Sequence, residues 1–296
     1  MTDLAVSAWP SASWPVEELF QVAAQAERDG YHGLWLSDHF MDNTGTAEPS
    51  ESGQHECFAL LAGLARTTSR MRLGSMVAGM TYRHPAVLAN AAATVDHLSS
   101  GRFVLGLGAG WQLNEHRAYG IDFGTLASRI DRFEEGIRAI TGLLRERRTD
   151  LAGRYYTLID APLNPKPIQP ALPILLGAAG EQRTLGIVAR LADEWNCWST
   201  PEVFVHKSRV LDEHCERIGR DPRTIRRTTQ ALLRFDSAPV DGARPVQVGG
   251  SVDAVVDAVG RWREAGVDEW IVPGWGTPEQ GRETLARVVF EVLPQL

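Results

Sequence analysis

Short runs of β-branched and large apolar residues alternate with amphipathic stretches along nearly the whole chain, an order that builds βαβ units and a parallel sheet. The strand-like runs fall at residues 4–8, 33–37, 71–77, 102–107, 173–177, 194–197, 225–234 and 269–272. Helical patterns follow them at 15–28, 55–67, 86–98, 126–145, 181–191, 203–218, 252–265 and 278–289. In the first helix Val16, Leu19, Phe20, Ala23 and Ala24 share one face, Pro15 suits a first turn and Gly30 a stop. Eight strand–helix pairs in 296 residues predict an α/β fold, a closed (β/α)8 TIM barrel forming a single domain over 1–296. The competing open, doubly wound sheet usually carries a dinucleotide-binding fingerprint after its first strand, and SAWPSASWP is not one. Residues 149–170 hold four prolines and no helical period, so they read as an excursion inserted before the fifth strand.

Composition narrows the function. Hydrophobic residues make up 44% and charged residues 23%, which suits a globular protein with a sizeable core. A formal charge of −7 argues against nucleic acid or an anionic membrane surface as a partner. The N-terminal MTDLAVSAWPSASWP has no basic segment leading into an apolar one, and no apolar run nears the roughly 18 residues that span a bilayer. A cytoplasmic location and a small-molecule substrate are expected. Cys57, Cys197 and Cys215 lie far apart without CxxC spacing and read as inert thiols rather than a disulfide or zinc framework. His55 and Cys57 have no ligand spacing with His39, so no metal is expected. The helices at 55–67 and 86–98 carry more alanine and leucine than one sheet-facing stripe needs, which predicts a second buried face and a homodimer.

The stretch GLWLSDHF, residues 33–40, carries the sharpest chemical signal. An apolar strand stops abruptly on Ser37, Asp38 and His39, and a buried strand gains nothing from an acid beside a titratable ring. In a barrel the active site is built at the carboxyl ends of the strands, so Asp38 and His39 would point into its mouth. The plainer alternative is that Ser37 or Asp38 caps a helical turn. Three other strand ends are lined with small residues: Val77, Ala78, Gly79 and Met80; GLGAGW at 106–111; and GAAGEQRT at 177–184. Small residues let a flat or anionic ligand approach the backbone. Ala178, Ala179 and Gly180 before a helix offer amides for a phosphate, with Arg183 as counter-charge; a tight turn that needs glycine for steric reasons is the alternative. Arg83 and His84 could reach the mouth or cap the following helix. Trp9, Trp198 and Trp275 each follow a predicted strand and could wall a substrate pocket or simply pack in the core.

In combination these segments resemble the luciferase-like monooxygenase superfamily, in particular its actinobacterial branch that depends on the 5-deazaflavin coenzyme F420. The resemblance rests on GLWLSDHF, TYRHPAVLANAAATVDHLSSGRFVLGLGAGW, EHRAYGI, RYYTLIDAPLNPKP and PILLGAAGEQRTLGIVARLADEWN, and runs over roughly residues 1–290. It implies a TIM barrel with the deazaflavin or isoalloxazine ring at the strands' carboxyl ends. Asp38 would meet the ring's polar edge and His39 would stand over its reactive carbon C5. A bulge with a non-prolyl cis peptide would fall at Met76–Val77 beside Ala78. Gly79, Gly108, Ala109, Gly110 and Trp111 would line the ring and ribityl chain, and Gly177, Ala178, Ala179 and Gly180 would hold phosphate. The deazaflavin-dependent glucose-6-phosphate dehydrogenases have a glutamate where Trp111 falls, and an indole cannot do a carboxylate's proton chemistry, which argues against a sugar phosphate substrate.

The activity so implied is hydride transfer between F420 and an alcohol, carbonyl, imine or activated alkene. F420 carries hydride, so the protein must supply a group for the substrate's proton. An imidazole, with an ordinary pKa of about 6.5, suits that role and singles out His39. One alternative is an FMN-dependent two-component monooxygenase, which would need a separate flavin reductase as partner. The other is a flavin-binding protein without catalysis.

Overall fold

The computed structural model describes residues 4–243 and 245–296. In chain order it begins with β1 (Ala5–Pro10), α1 (Val16–Arg28), β2 (Gly33–Leu36), α2 (Cys57–Thr67), β3 (Arg72–Ser75), β4 (Ala78–Gly79), α3 (Pro85–Ser99), β5 (Phe103–Gly108), α4 (Leu113–Ala118) and α5 (Leu126–Arg145). It continues through β6 (Thr149–Ala152), β7 (Thr157–Ala161), β8 (Ile174–Gly177), α6 (Thr184–Leu191), β9 (Glu194–Trp198) and α7 (Pro201–Arg217). The last elements are β10 (Arg226–Gln230), β11 (Leu232–Phe235), β12 (Gln247–Gly250), α8 (Val252–Glu264), β13 (Glu269–Gly274) and α9 (Pro278–Arg287).

The main sheet runs β3, β2, β1, β13, β10, β9, β8, β5, β4, and a further β3–β5 pairing brings the order back on itself. With β3 and β4 as two halves of one stave, eight parallel staves close the ring of a (β/α)8 barrel, the fold expected from the alternation of segments. Registers such as Ser7 opposite Ile271, Thr228 opposite Asn196 and Leu105 opposite Ile174 fix the parallel pairing.

Four segments depart from the sequence expectation, each for a local reason. The strand expected over 71–77 breaks after Ser75, because a cis peptide at Met76–Val77 throws a bulge before pairing resumes at Ala78. The excursion at 149–170 contains an antiparallel hairpin, β6 on β7, that its prolines mask. The expected strand 225–234 is two strands: the chain leaves the barrel after Gln230, and β11 pairs with β12 instead. The helix expected from 181 starts at Thr184, whose hydroxyl accepts the Gly180 amide.

Two compact units divide the chain, one of residues up to Trp35 with Gly177–Leu296, the other Leu36–Leu176. In the first, α1 buries Leu19, Val22, Ala23 and Ala26 at helical spacing, and Trp35, Trp195, Trp262, Trp270 and Phe204 are fully buried. In the second, α5 turns Ile130, Phe133, Ile137, Ile140 and Leu144 inward, while α2 and α3 contribute Leu61, Leu64, Leu88 and Ala92. Cys57, Cys197 and Cys215 are free thiols buried in these cores, and burial pushes the Cys197 thiol up to about 12, consistent with the expected inertness.

The first unit buries one charge completely. Glu269 accepts hydrogen bonds from Ser7 Oγ at 2.6 Å and Trp35 Nε1 at 2.9 Å, and pairs with Arg226 at 3.3 Å. Removing the carboxylate takes this acceptor from the buried Ser7 hydroxyl and Trp35 indole, so Glu269→Ala is expected to cost about 3 kcal/mol, and Glu269→Gln less. Urea denaturation reads this directly; a midpoint unchanged from wild type contradicts it.

Candidate active site

Within Leu36–Leu176, the end of β2 delivers Asp38 and His39 into a network of ionic and aromatic groups. Asp38 is buried, and both its oxygens are gripped by the Arg83 guanidinium, Nη1 to Oδ2 at 2.6 Å and Nη2 to Oδ1 at 2.8 Å. The Gly79 amide donates to the same carboxylate at 3.2 Å. Arg83 also bonds Glu56, which caps α2 by accepting the Ala59 amide at 2.7 Å, and it lies over the Phe58 ring. Burial alone would lower the guanidinium's pKa, but the hydrogen bonds and charges of Asp38 and Glu56 hold it above its ordinary value. Asp38 thus ties the end of β2, the bulge before β4, the start of α2 and the entry to α3 into one piece.

His39 faces another acid. Its Nδ1 lies 2.7 Å from Oε1 of Glu115, a fully buried carboxylate on the short helix α4. Tyr82 donates its hydroxyl to the same oxygen, and the Phe40 amide donates to Oε2 at 2.7 Å. Burial by itself would raise the Glu115 carboxyl, but the hydrogen bond and charge of His39, the Phe40 amide and the Tyr82 hydroxyl hold it below its ordinary value. Burial, then the facing carboxylate, pushes Tyr82 far above a phenol's range, so its proton stays on oxygen. An ionised carboxylate can only accept, so Nδ1 of His39 carries a proton and Nε2 is the ring atom left for chemistry.

The cis peptide at Met76–Val77 falls where the family resemblance implies it. The Met76 amide donates to Leu36 O at 2.7 Å, and Ser75 Oγ donates to Gly106 O at 2.8 Å. The glycines around this bulge serve the chain's own packing. A Cβ on Gly106 would collide with the Ser75 carbonyl, one on Gly108 would lie 2.6 Å from Val77 Cγ2, and one on Gly79 2.5 Å from the Tyr82 ring. Gly110 sits at φ +83°, open to glycine alone at low cost. Ala109 and Gly110 are half-buried, and Trp111, 59% exposed, stands edge-on to His39 with ring centroids 5.5 Å apart.

The unit holding Gly177–Leu296 carries the other expected site residues. Ala178 donates its amide to Asn196 O and Gly180 to Thr184 Oγ1, both at 3.0 Å, so two of the amides counted as open for phosphate are used within the chain. Arg183 stands at the N-cap of α6. Trp9, Trp198 and Trp275 come together, with ring centroids 5.3–5.6 Å apart. Trp9 is almost fully buried, and its Nε1 has no partner among the described residues. No cluster of three or more potential metal ligands occurs among the described residues.

Glu115, Tyr82 and Glu56 were not singled out in the sequence. α4 is too short for apolar periodicity to mark, and Glu115 and Tyr82 enter the sequence reading only inside the motifs EHRAYGI and TYRHP, with no role attached.

The luciferase-like monooxygenase family model matches residues 2–240, and the chain belongs to that family. An F420-dependent glucose-6-phosphate dehydrogenase of Kineococcus radiotolerans is 35% identical over 226 residues, 75% of this chain and 65% of that relative. The chain spans just under two thirds of the length of the curated relatives it matches first. Among solved structures, an F420-dependent secondary alcohol dehydrogenase in complex with an F420–acetone adduct superposes with a TM-score of 0.84 at 16% identity, over 99% of both chains. The F420-dependent tetrahydromethanopterin reductase of Methanopyrus kandleri gives 0.82 at 18% identity, again over 99% of both. At such identity these two structures speak for the barrel alone.

The depressed native value of Glu115 sets a pH dependence. The carboxylate's contribution to stability is fully present above the ordinary carboxylate value of 4.5 and is lost as pH falls through the lower native value. The stability difference between wild type and Glu115→Gln is therefore expected to be largest near neutrality and to shrink in acid. A difference that stays constant on denaturation across that range contradicts the ionised, hydrogen-bonded carboxylate.

Proposed function

We propose that the protein is an F420-dependent oxidoreductase that moves a hydride between the coenzyme and a small organic substrate, an alcohol or carbonyl, an imine or an activated alkene. The observation that carries this reading is the His39–Glu115 pair, which engages Nδ1 of the imidazole and not Nε2. The names of the relatives support it, since several are F420-dependent dehydrogenases or reductases. The small residues Ala78, Ala109 and Gly110 near the bulge at Met76–Val77 suit a flat, uncharged ring, while the space beside Gly79 and Gly108 is taken by Tyr82 and Val77. When bound, the deazaflavin supplies the hydride acceptor or donor.

The chain's own residues then divide the remaining work. His39 Nε2 takes the hydroxyl proton of an alcohol or, protonated, returns one to a carbonyl oxygen in the reverse direction. Glu115 keeps Nδ1 protonated, holds the ring's orientation and stabilises the imidazolium as it forms. Tyr82 and the Phe40 amide hold Glu115 in place. Asp38 and Arg83 fix the strand end that carries His39, so Asp38 acts on the coenzyme site through the backbone of Gly79. On the same footing we assign Gly177–Gly180 and Arg183 to the coenzyme's phosphate, chiefly through Arg183 and the Ala179 amide, and Trp9, Trp198 and Trp275 to a substrate wall. A homodimer in the cytoplasm completes the proposal; no helix among the described residues is long and apolar enough to cross a membrane.

Titration of F420 and of FMN against the fluorescence of the nine tryptophans separates the deazaflavin reading from an FMN-dependent monooxygenase. F420 is expected to quench saturably and more tightly; tighter FMN binding contradicts the proposal. His39→Ala is expected to lower turnover by about 10²–10⁴-fold while F420 affinity stays close to wild type. Unchanged turnover removes His39 from the chemistry, and a bound coenzyme that turns over with no donor or acceptor leaves a binding protein.

A further inference from the structure

Trp111 stands against His39 and takes no part in the proton chemistry proposed above. Its indole stands edge-on to the imidazole at an interplanar angle of 82° and is 59% exposed. Exposure of that extent on a large aromatic ordinarily goes with mobility, yet the backbone on both sides of it is pinned. The Gly110 carbonyl accepts from Arg129 Nε at 3.0 Å, and a Cβ at Gly110 would press on Thr81 Oγ1. Gln112 is buried, donates to Met41 O at 2.8 Å and accepts from His116 Nδ1 at 2.6 Å. Burial lowers the His116 pKa, which keeps the ring neutral, with Nε2 accepting from Thr81 Oγ1 at 2.7 Å. Asn114 adds a bond to Asp42 O at 2.9 Å. A rigid main chain thus presents an open indole beside the proton-transfer atom.

The surroundings set the chemistry of what covers it. Phe40, next to His39, packs edge-on against Tyr82 and against Tyr119, itself 57% exposed. Arg83 is paired by Asp38 and Glu56, and Arg129 bonds the carbonyls of Gly110, Phe123 and Gly124 and lies on the Phe123 ring. The nearest formal charge to His39 is the Glu115 carboxylate, which disfavours a second anion. A phosphorylated or carboxylated substrate finds repulsion from the Glu115 carboxylate beside His39, whereas an apolar face finds an aromatic surface whose covering is favourable.

We propose that Trp111 belongs to the substrate rather than the coenzyme, and that the substrate is an uncharged, mainly hydrocarbon ketone, secondary alcohol or enone. Its carbon skeleton lies against the indole while its oxygen meets His39 Nε2. The inference rests on the oxidoreductase reading, and it makes Trp111 a specificity-determining residue in place of a second acid.

The test uses the full-length protein, with and without F420, and 2-cyclohexen-1-one and glucose 6-phosphate as probes. Calorimetry on wild type is expected to show the enone binding more tightly than the sugar phosphate. Trp111→Ala is expected to weaken the enone by at least about tenfold and raise its KM more than it lowers kcat, with F420 affinity within about twofold of wild type. Trp111→Phe is expected to restore most of the binding. Enone affinity unchanged in Trp111→Ala, tighter binding of glucose 6-phosphate than of the enone, or loss of F420 affinity along with enone affinity each overturns the assignment. Wild type that binds the enone but no F420 sinks the oxidoreductase reading instead, and the response of enone binding to Trp111→Ala still decides the role of the indole.

Discussion

Glu115 is the group on which the rest of the candidate site depends. A carboxylate with no exposed surface is costly unless every lone pair it turns inward finds a donor. Here the donors are the His39 imidazole, the Tyr82 hydroxyl and the Phe40 amide, drawn from the loop after β2 and the loop after the bulge. Satisfying one buried charge therefore fixes three loop residues at once. It also decides which nitrogen of His39 carries the proton. The order follows from a desolvation requirement: the acid must be paired, and pairing orients the imidazole.

A second buried acid does the same for the scaffold beneath. Asp38 sits one residue before His39, yet its oxygens point to Arg83 and Gly79. The fork–fork geometry resists rotation better than a single contact would, and Arg83 carries the constraint on to Glu56 and the start of α2. The adjacent acid and imidazole that stand out in GLWLSDHF thus have separate partners, Asp38 gripping Arg83 and His39 facing Glu115.

The barrel is legible in the sequence because each stave is a run of apolar residues bounded by helix signals, and that pattern is local. His39 stands out because it follows a strand end, where a barrel places its chemistry, and the cis peptide at Met76–Val77 is what the family resemblance implies. Glu115 is not, since its meaning lies 76 residues away from its partner on a helix of six residues. The glycines at 79, 106 and 108 suggest room for a ligand, whereas the Tyr82 ring fills the space beside Gly79 and the bulge that beside Gly106 and Gly108. The amides of Ala178 and Gly180 looked open for the same reason, and a neighbouring strand and a threonine use them. Intrachain contacts of this kind leave no periodic trace, and only the folded chain reveals them. The division of strand 225–234 between the barrel and a β11–β12 pair is hidden in the same way, because both halves have strand composition.

Long-range proton–nitrogen NMR correlation on the His39 ring of the protein at neutral pH tests the central claim most directly. The account predicts that Nδ1 holds the proton shared with Glu115, with that preference weakened in Glu115→Gln. A ring protonated on Nε2 alone, or one whose tautomer is indifferent to Glu115, contradicts it.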